Sequence, residues 1–237
     1  MNAPEQTELV LTCEHAGCRI PAEYRALFAV AKKVLASHRG WDPGALTLAR
    51  AMASSLKAPL HVVMWSRLLV EANRSISHPA LWSIYTRNLD RAERDRILDR
   101  YWRPHREQVE RDIAARIARG VRVVHVAVHS FTPVLHGVRR NADLGLLYDP
   151  ARRREQTFCL VWQKSLAGIE PQLRVRRNYP YRGASDGLTT ALRRQFPADR
   201  YLGIEIEMNQ AFANRPSQAK WARALCRTLR ALVAANL

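Results

Sequence analysis

The chain has 237 residues and a mass of 27.1 kDa, long enough to bury one sizeable core. With 47% hydrophobic and 25% charged residues it is neither disordered nor fibrous, and 10 Gly and 12 Pro leave no collagen-like or linker-dominated stretch. The net charge of +17 suggests a polyanion partner, but 33 of the 38 cations are arginines spread along the chain. Many alternate with acids, as in Asp90-Arg91-Ala92-Glu93-Arg94-Asp95-Arg96, the pattern of a solvated helix face. Neither an aromatic-basic RNA signature nor a helix-turn-helix is present, which argues against nucleic-acid binding. Cys13, Cys18, Cys159 and Cys226 form no CxxC pair and read as free thiols of a cytoplasmic protein. No basic leader with an apolar stretch opens the sequence, and no run of 18 apolar residues predicts a membrane span.

Short apolar runs alternate with longer amphipathic segments, the rhythm of an α/β domain. The predicted strands are Glu8–Cys13, Leu60–Trp65, Val121–Val128, Leu144–Tyr148, Leu173–Arg177 and Tyr201–Glu207. The predicted helices are Pro21–Val30, Pro43–Leu56, Asp90–Ala118, Ala151–Ala167, Leu188–Gln195 and Ser217–Ala235, with Pro104 kinking or splitting the third. Asp42-Pro43 reads as an N-cap followed by proline at the first helical position. With no repeat and no linker, one three-layer α/β/α domain over residues 1–237 is expected.

Polar clusters follow several strands, where open α/β sheets place their sites. These are Glu14-His15 after the first strand, His129-Ser130 after the third, and Glu205 and Glu207 on the last. His38 and Asp42 precede the second helix, and Glu71, Asn73 and Arg74 follow the second strand. Imidazoles and carboxylates converging from separate strand ends are what a catalytic zinc requires: three N/O ligands and an open position for water. His61, His78, His105 and His125 read as structural histidines. Glu205 and Glu207 are two apart and so share a strand face, where two carboxylates need a metal or an arginine as partner. Asn73-Arg74 sets a forked guanidinium beside an amide, suited to gripping a carboxylate.

Taken together the motifs resemble the N-formylglutamate amidohydrolase family. The stretches that carry the resemblance are Cys13–Gly17 (CEHAG), His38–Ala45 (HRGWDPGA), Ser66–Ser75 (SRLLVEANRS), His129–Pro133 (HSFTP), Asp143–Pro150 (DLGLLYDP), Asn178–Gly187 (NYPYRGASDG) and Gly203–Gln210 (GIEIEMNQ). They run in the family's order over most of the chain. The resemblance implies a mixed-sheet fold of the phosphorylase/hydrolase type, related to zinc carboxypeptidases. It also implies one Zn2+ per chain and hydrolysis of a small anionic N-acyl amino acid, N-formyl-L-glutamate being the named candidate, a step of histidine degradation. His15 looks like the first ligand and His129 the third. The related His-x-x-Glu spacing falls here on Cys18, so the second ligand must come from elsewhere, with Asp42 expected and Glu14 or His38 as alternatives. Glu205 looks like the general base, with Glu207 able to exchange roles with it and expected nearer the rim, paired with an arginine. Asn73 and Arg74 would hold the substrate carboxylate, Arg139, Arg140 and Arg182 would add positive charge, and Tyr181 would donate to the reacting carbonyl. A non-catalytic basic module or a degenerate, non-hydrolysing member are the competing readings.

Overall fold

The computed structural model describes residues 6–237. Its elements in chain order are β1 (Thr7–Cys13), α1 (Lys32–Leu35), α2 (Ala45–Leu56), β2 (Leu60–Val62), α3 (Arg91–Ile97), α4 (Arg103–Ala118), β3 (Arg122–Phe131) and β4 (Val134–Leu135). These are followed by β5 (Val138–Arg139), β6 (Leu144–Leu147), α5 (Arg153–Ile169), β7 (Val175–Arg177), α6 (Leu188–Gln195), β8 (Tyr201–Asn209) and α7 (Pro216–Ala234). Six strands form one mixed sheet in the order β2-β1-β3-β8-β6-β7, with β8 and β6 antiparallel and the other neighbours parallel. β4 and β5 make a separate small hairpin. No described helix is long and apolar enough to cross a membrane.

The alternation of side chains across a strand sorts the sheet into two unlike faces. Leu11 and Cys13 of β1, Val124, Val126 and Val128 of β3, and Leu202, Ile204 and Ile206 of β8 pack on α2, α5 and α7 in the main core. Val10, Val123 and Tyr201 meet Val109 and Ile113 of α4 and Leu188 and Leu192 of α6 on the other side. That second face also carries a polar file: Thr12, His125, His129, Glu205 and Glu207. Near its covered end His125 is fully buried and satisfied, its Nε2 2.9 Å from Thr12 Oγ1 and its Nδ1 2.7 Å from the Tyr201 hydroxyl. Burial holds this imidazole down at about 3, a neutral structural histidine. A third apolar cluster, with Tyr24, Phe28, Leu69 and Ile97, supports the long connections on the β2 side.

Several features depart from the sequence expectation. The predicted Pro21–Val30 helix is a tight 3-10 turn over Ala22–Phe28, and the strand expected over Leu60–Trp65 is regular only at Leu60–Val62, with Trp65 making an isolated parallel bridge to Arg19. The predicted Asp90–Ala118 helix is divided by a π-helical stretch, Leu98–Trp102, with Pro104 sitting in the first turn of α4, where its missing N–H costs nothing. Finally, Asp42 does not cap α2: Gly44 does, at φ +83°. A Cβ on Gly44 would lie 2.7 Å from Ala213 Cβ and 2.8 Å from Met208 Cε, so both its conformation and its packing require glycine. Asp42 is thereby freed for charged partners stronger than a helix N–H.

Candidate metal centre

β1 ends at Cys13 and delivers His15 one turn beyond the sheet edge, while β3 delivers His129 near its own carboxyl end. The turn before α2 brings Asp42 between them, with its backbone N–H bonded to the His15 carbonyl at 3.0 Å. The three side chains are buried and converge: His15 Nδ1 to His129 Nδ1 is 3.1 Å, His129 Nδ1 to Asp42 Oδ2 3.2 Å, and His15 Nδ1 to Asp42 Oδ2 3.4 Å. They are the group of possible metal ligands found among the described residues. Two imidazole nitrogens aimed at each other cannot both donate, yet a cation between them satisfies both lone pairs. Ligand bonds of about 2.0–2.2 Å in a tetrahedron would set the donor atoms about 3.3–3.5 Å apart, close to the separations observed. The donor set, two imidazoles and one carboxylate, therefore fits a catalytic metal.

Each ligand candidate is held from behind. His15 Nε2 is hydrogen-bonded to Glu71 Oε1, which also accepts the Asn73 N–H at 3.1 Å. Asp42 Oδ1 takes a hydrogen bond from Arg67 Nη2, and Asp42 Oδ2 accepts the Ser130 N–H at 3.1 Å. Burial alone would raise both carboxyls. For Asp42 the Arg67 guanidinium and the contacts with His15 and His129 outweigh it and hold the group well below its usual range, and for Glu71 His15 and Arg67 hold it at about 2. Burial likewise disfavours a charged His129, but Asp42 and Glu14 overcome it and raise that imidazole well above its usual value in the metal-free protein.

The β3–β8 register sets Glu207 opposite His129 and Glu205 opposite Ala127. Glu207 is buried and its Oε2 has no hydrogen-bond partner. Burial raises its carboxyl to about 8, with Asp42 and Glu205 adding to the shift and His129 and Arg67 opposing it. This corrects the expectation of a rim position: β8 continues two residues past Glu207 and is flanked there by β6, so the chain's edge lies further on. Glu205 accepts a 2.6 Å hydrogen bond from Thr189 Oγ1 of α6.

A cavity of about 240 Å³ opens over these groups, lined by His15, Asp42, Arg67, Glu71, Asn73, Arg74, His129, Ser130, Tyr181, Arg182, Ser185, Asp186, Glu205 and Glu207. A groove of about 740 Å³ at the opposite end of β1 is larger but gathers no such constellation. Asn73 and Arg74 do reach the cavity, but part of each is committed to the fold. Asn73 Oδ1 accepts the Leu188 N–H at 2.7 Å at the start of α6, and Arg74 Nη1 donates to the Asp186 carbonyl. Arg139 is a correction: it is exposed on β5 and takes no part in the lining. Arg140 is also outside the lining but donates to the Tyr181 hydroxyl at 3.0 Å and stacks 5.0 Å over its ring. His38 is exposed and outside the ligand group, and Cys18 lines a different surface hollow. Glu14 stands behind His129 rather than among the three ligand atoms. Of Arg67 and Glu71, which bracket the centre, the sequence places Glu71 in a strand-end polar cluster without a role and gives Arg67 none. Their signal was an Arg and a Glu just upstream of Asn73-Arg74, hidden in a chain with so many arginines.

A mixed sheet with such a triad, a buried carboxylate and arginines at its strand ends has the layout of a hydrolytic enzyme. The N-formylglutamate amidohydrolase (FGase) family profile matches residues 7–213, and the chain belongs to that family. It is similar to the crystal structure of gene product Atu2144 from Agrobacterium tumefaciens, at 35% identity and TM-score 0.82, over 97% of this chain and 92% of that one. The fold is also that of N-formylglutamate amidohydrolase from Ralstonia eutropha JMP134, at 20% identity and TM-score 0.71, over 98% of this chain and 94% of that one. A comparison with curated proteins returns no match. The chain is thus a hydrolase of the N-formylglutamate amidohydrolase type, acting on an amide.

Proposed function

We propose that the protein is a zinc-dependent amidohydrolase that removes the acyl group from a small N-formyl acidic amino acid, with N-formyl-L-glutamate as its substrate. The observation that carries this reading is one small cavity joining the His15–Asp42–His129 triad to a buried carboxylate and to Arg67, Arg74 and Arg182. Its volume of about 240 Å³ suits a ligand smaller than the usual drug-sized guest. Zinc, when held by His15, Asp42 and His129, supplies Lewis acidity and makes a bound water acidic near neutral pH.

The remaining chemistry belongs to the chain. Glu207 Oε2, opposite His129 and free of partners, accepts the proton of the attacking water and returns it to the nitrogen as the C–N bond breaks. The products are formate and the free amino acid. Glu205, which the sequence suggested for this task, is occupied by Thr189 and serves as an acceptor for the leaving amine. Arg67, anchored on Asp42, presents its other N–H groups where negative charge develops on the acyl oxygen. Arg74, with the free amide N–H of Asn73, and Arg182 hold the two carboxylates, and Tyr181, oriented by Arg140, donates at the mouth. Binding those carboxylates fixes the amide against Glu207 and turns binding into orientation.

The test is metal analysis of the purified protein together with a panel of formyl- and acetyl-amino acids. One zinc per chain and fastest hydrolysis of N-formyl-glutamate are expected. A metal-replete protein without zinc, or equal rates on acidic and neutral formyl-amino acids, would overturn the reading.

A further inference from the structure

We propose that Glu14, itself held by His105, is the positioning residue of His129: it engages Nε2 and so presents Nδ1 to the metal centre. The inference rests on the reading of His15, Asp42 and His129 as ligands. It gives Glu14 a place in the site other than that of a ligand.

Glu14 follows β1 directly and is 1% exposed, so both its oxygens need partners inside the protein. Oε1 meets His105 Nε2 at 3.3 Å. Oε2 lies 3.0 Å from His129 Nε2 as an ion pair, and neither atom makes an aligned hydrogen bond to any group. The contact is bent away from ideal hydrogen-bond alignment. Two buried polar atoms facing each other at that distance are nonetheless each other's partners. A histidine that binds metal through one nitrogen is fixed by what its other nitrogen meets, most often a carboxylate. His15 has this arrangement through a hydrogen bond to Glu71, and Glu14 sets a carboxylate at ion-pair distance behind His129 in the corresponding place.

The backbone explains how His105 comes to be there. The π-helical stretch Leu98–Trp102 sits directly before α4 and sets the register of its first turn, so that His105 and Arg106 both turn inward. Arg106 donates to the Ala72 carbonyl at 3.1 Å, and its guanidinium stacks 4.7 Å from the Trp102 ring. The start of α4 is therefore pinned to the loop that carries Glu71, Asn73 and Arg74. His105 reaches Glu14 from a fixed base rather than from a mobile surface.

A carboxylate accepts from both imidazoles, whereas an amide has one oxygen and satisfies only one of them. Glu14→Gln and His105→Phe should therefore each weaken zinc binding, by about 10- to 100-fold for the first and about tenfold for the second, in competition with a calibrated chelator. His105→Gln, which keeps a donor, should recover most of that loss. In the metal-free protein the His129 Nε2 proton, followed by long-range 1H–15N correlation, should exchange slowly in the parent. It should exchange at least tenfold faster in Glu14→Gln at an unchanged melting temperature, a change that a purely structural role would not produce. Parent-like zinc affinity in Glu14→Gln overturns the proposal. So does complete loss of zinc in that variant with parent affinity in His105→Phe, the pattern of a direct ligand. A parent that takes up no zinc sinks the metal assignment alone, and the proton-exchange comparison then decides this one: equal exchange in parent and Glu14→Gln refutes it.

Discussion

The Glu207 carboxyl gives the metal-free protein a pH signature of its own. Burial beside Asp42 and Glu205 raises it from 4.5 to about 8. The folded state therefore holds a proton that the unfolded chain releases above pH 4.5. The stability associated with this group is fully present below that pH and is lost as pH rises towards 8. At about 1.4 kcal/mol per pH unit, most of the interval between pH 5 and pH 8 is affected, and the parent should lose about 3 kcal/mol through this group. Glu207→Gln has no proton to lose and keeps nearly the same shape. The two proteins should thus differ little at pH 5, with the variant about 3 kcal/mol more stable at pH 8, measured by urea unfolding in the presence of chelator. Other groups titrate over the same range, but they are common to both proteins and cancel in the comparison. Parallel stability profiles would show that Glu207 is ionised without metal, and the argument from burial would fail. In the loaded enzyme the same substitution removes the proton acceptor, and kcat should fall on the order of 100-fold or more.

Three further outcomes follow from the same geometry. His129→Ala removes one of three converging donor atoms and should abolish stoichiometric metal in elemental analysis while the far-ultraviolet circular dichroism stays that of the parent. Arg74→Ala should lower kcat/KM on an acidic formyl-amino acid by about 2–5 kcal/mol and leave zinc affinity nearly unchanged, with equal turnover by parent and variant counting against the carboxylate role. Arg193→Met should cost about 3–5 kcal/mol in denaturant unfolding, because it removes the cation bonded through Nε at 3.0 and 3.1 Å to the buried Glu155 carboxylate and leaves that charge with only the Asp149 and Gly203 N–H groups. Arg193 also ties the Gly183 and Gly203 carbonyls at 2.7 and 2.6 Å, so hydrolysis should suffer through the Tyr181–Asp186 side of the cavity.

What was legible in the sequence was local. The span of α6, Leu188–Gln195, falls where periodicity puts it, because one apolar stripe and flanking Gly and Pro bound it unambiguously. β3 and β8 run three and two residues past their expected ends, His129–Phe131 and Met208–Asn209, because cross-strand pairing there outweighs the polar side chains. The choice between Glu205 and Glu207 could not be read from either strand alone: both lie on one face, and only the register between β3 and β8 decides which meets His129. Asp42 misled as a helix cap for a related reason. Its partners His15, Arg67, His129 and Ser130 are distant in sequence, and a local rule weighs only the N–H groups of the next turn. The family motifs held the ligand candidates and also Glu14, Arg67 and Glu71, but which of these ligate and which stand behind a ligand depends on contacts between strands, and His105, outside every motif, reads from the sequence as a structural histidine.

The balance of charge around the centre leads to a last expectation. Asp42, Glu14, Glu71 and Glu207 crowd a largely dry space in which Arg67 is the permanent cation closest to the ligands. Without metal, the protein meets that excess of carboxylate by binding protons: His129 is raised well above its usual range by Asp42 and Glu14, and Glu207 to about 8 by burial. A divalent cation takes over both functions. It requires the unprotonated Nδ1 of His129, and its field favours the ionised form of a neighbouring carboxyl. Zinc uptake at pH 7 should therefore release between one and two protons per ion, counted by calorimetry in buffers of different ionisation enthalpy. Glu207→Gln should lower the count by close to one while zinc still binds at one per chain. Metal binding with no proton release would mean that His129 and Glu207 are already deprotonated. In that case the clustered carboxylates would have to be balanced by cations other than those the structure places beside them.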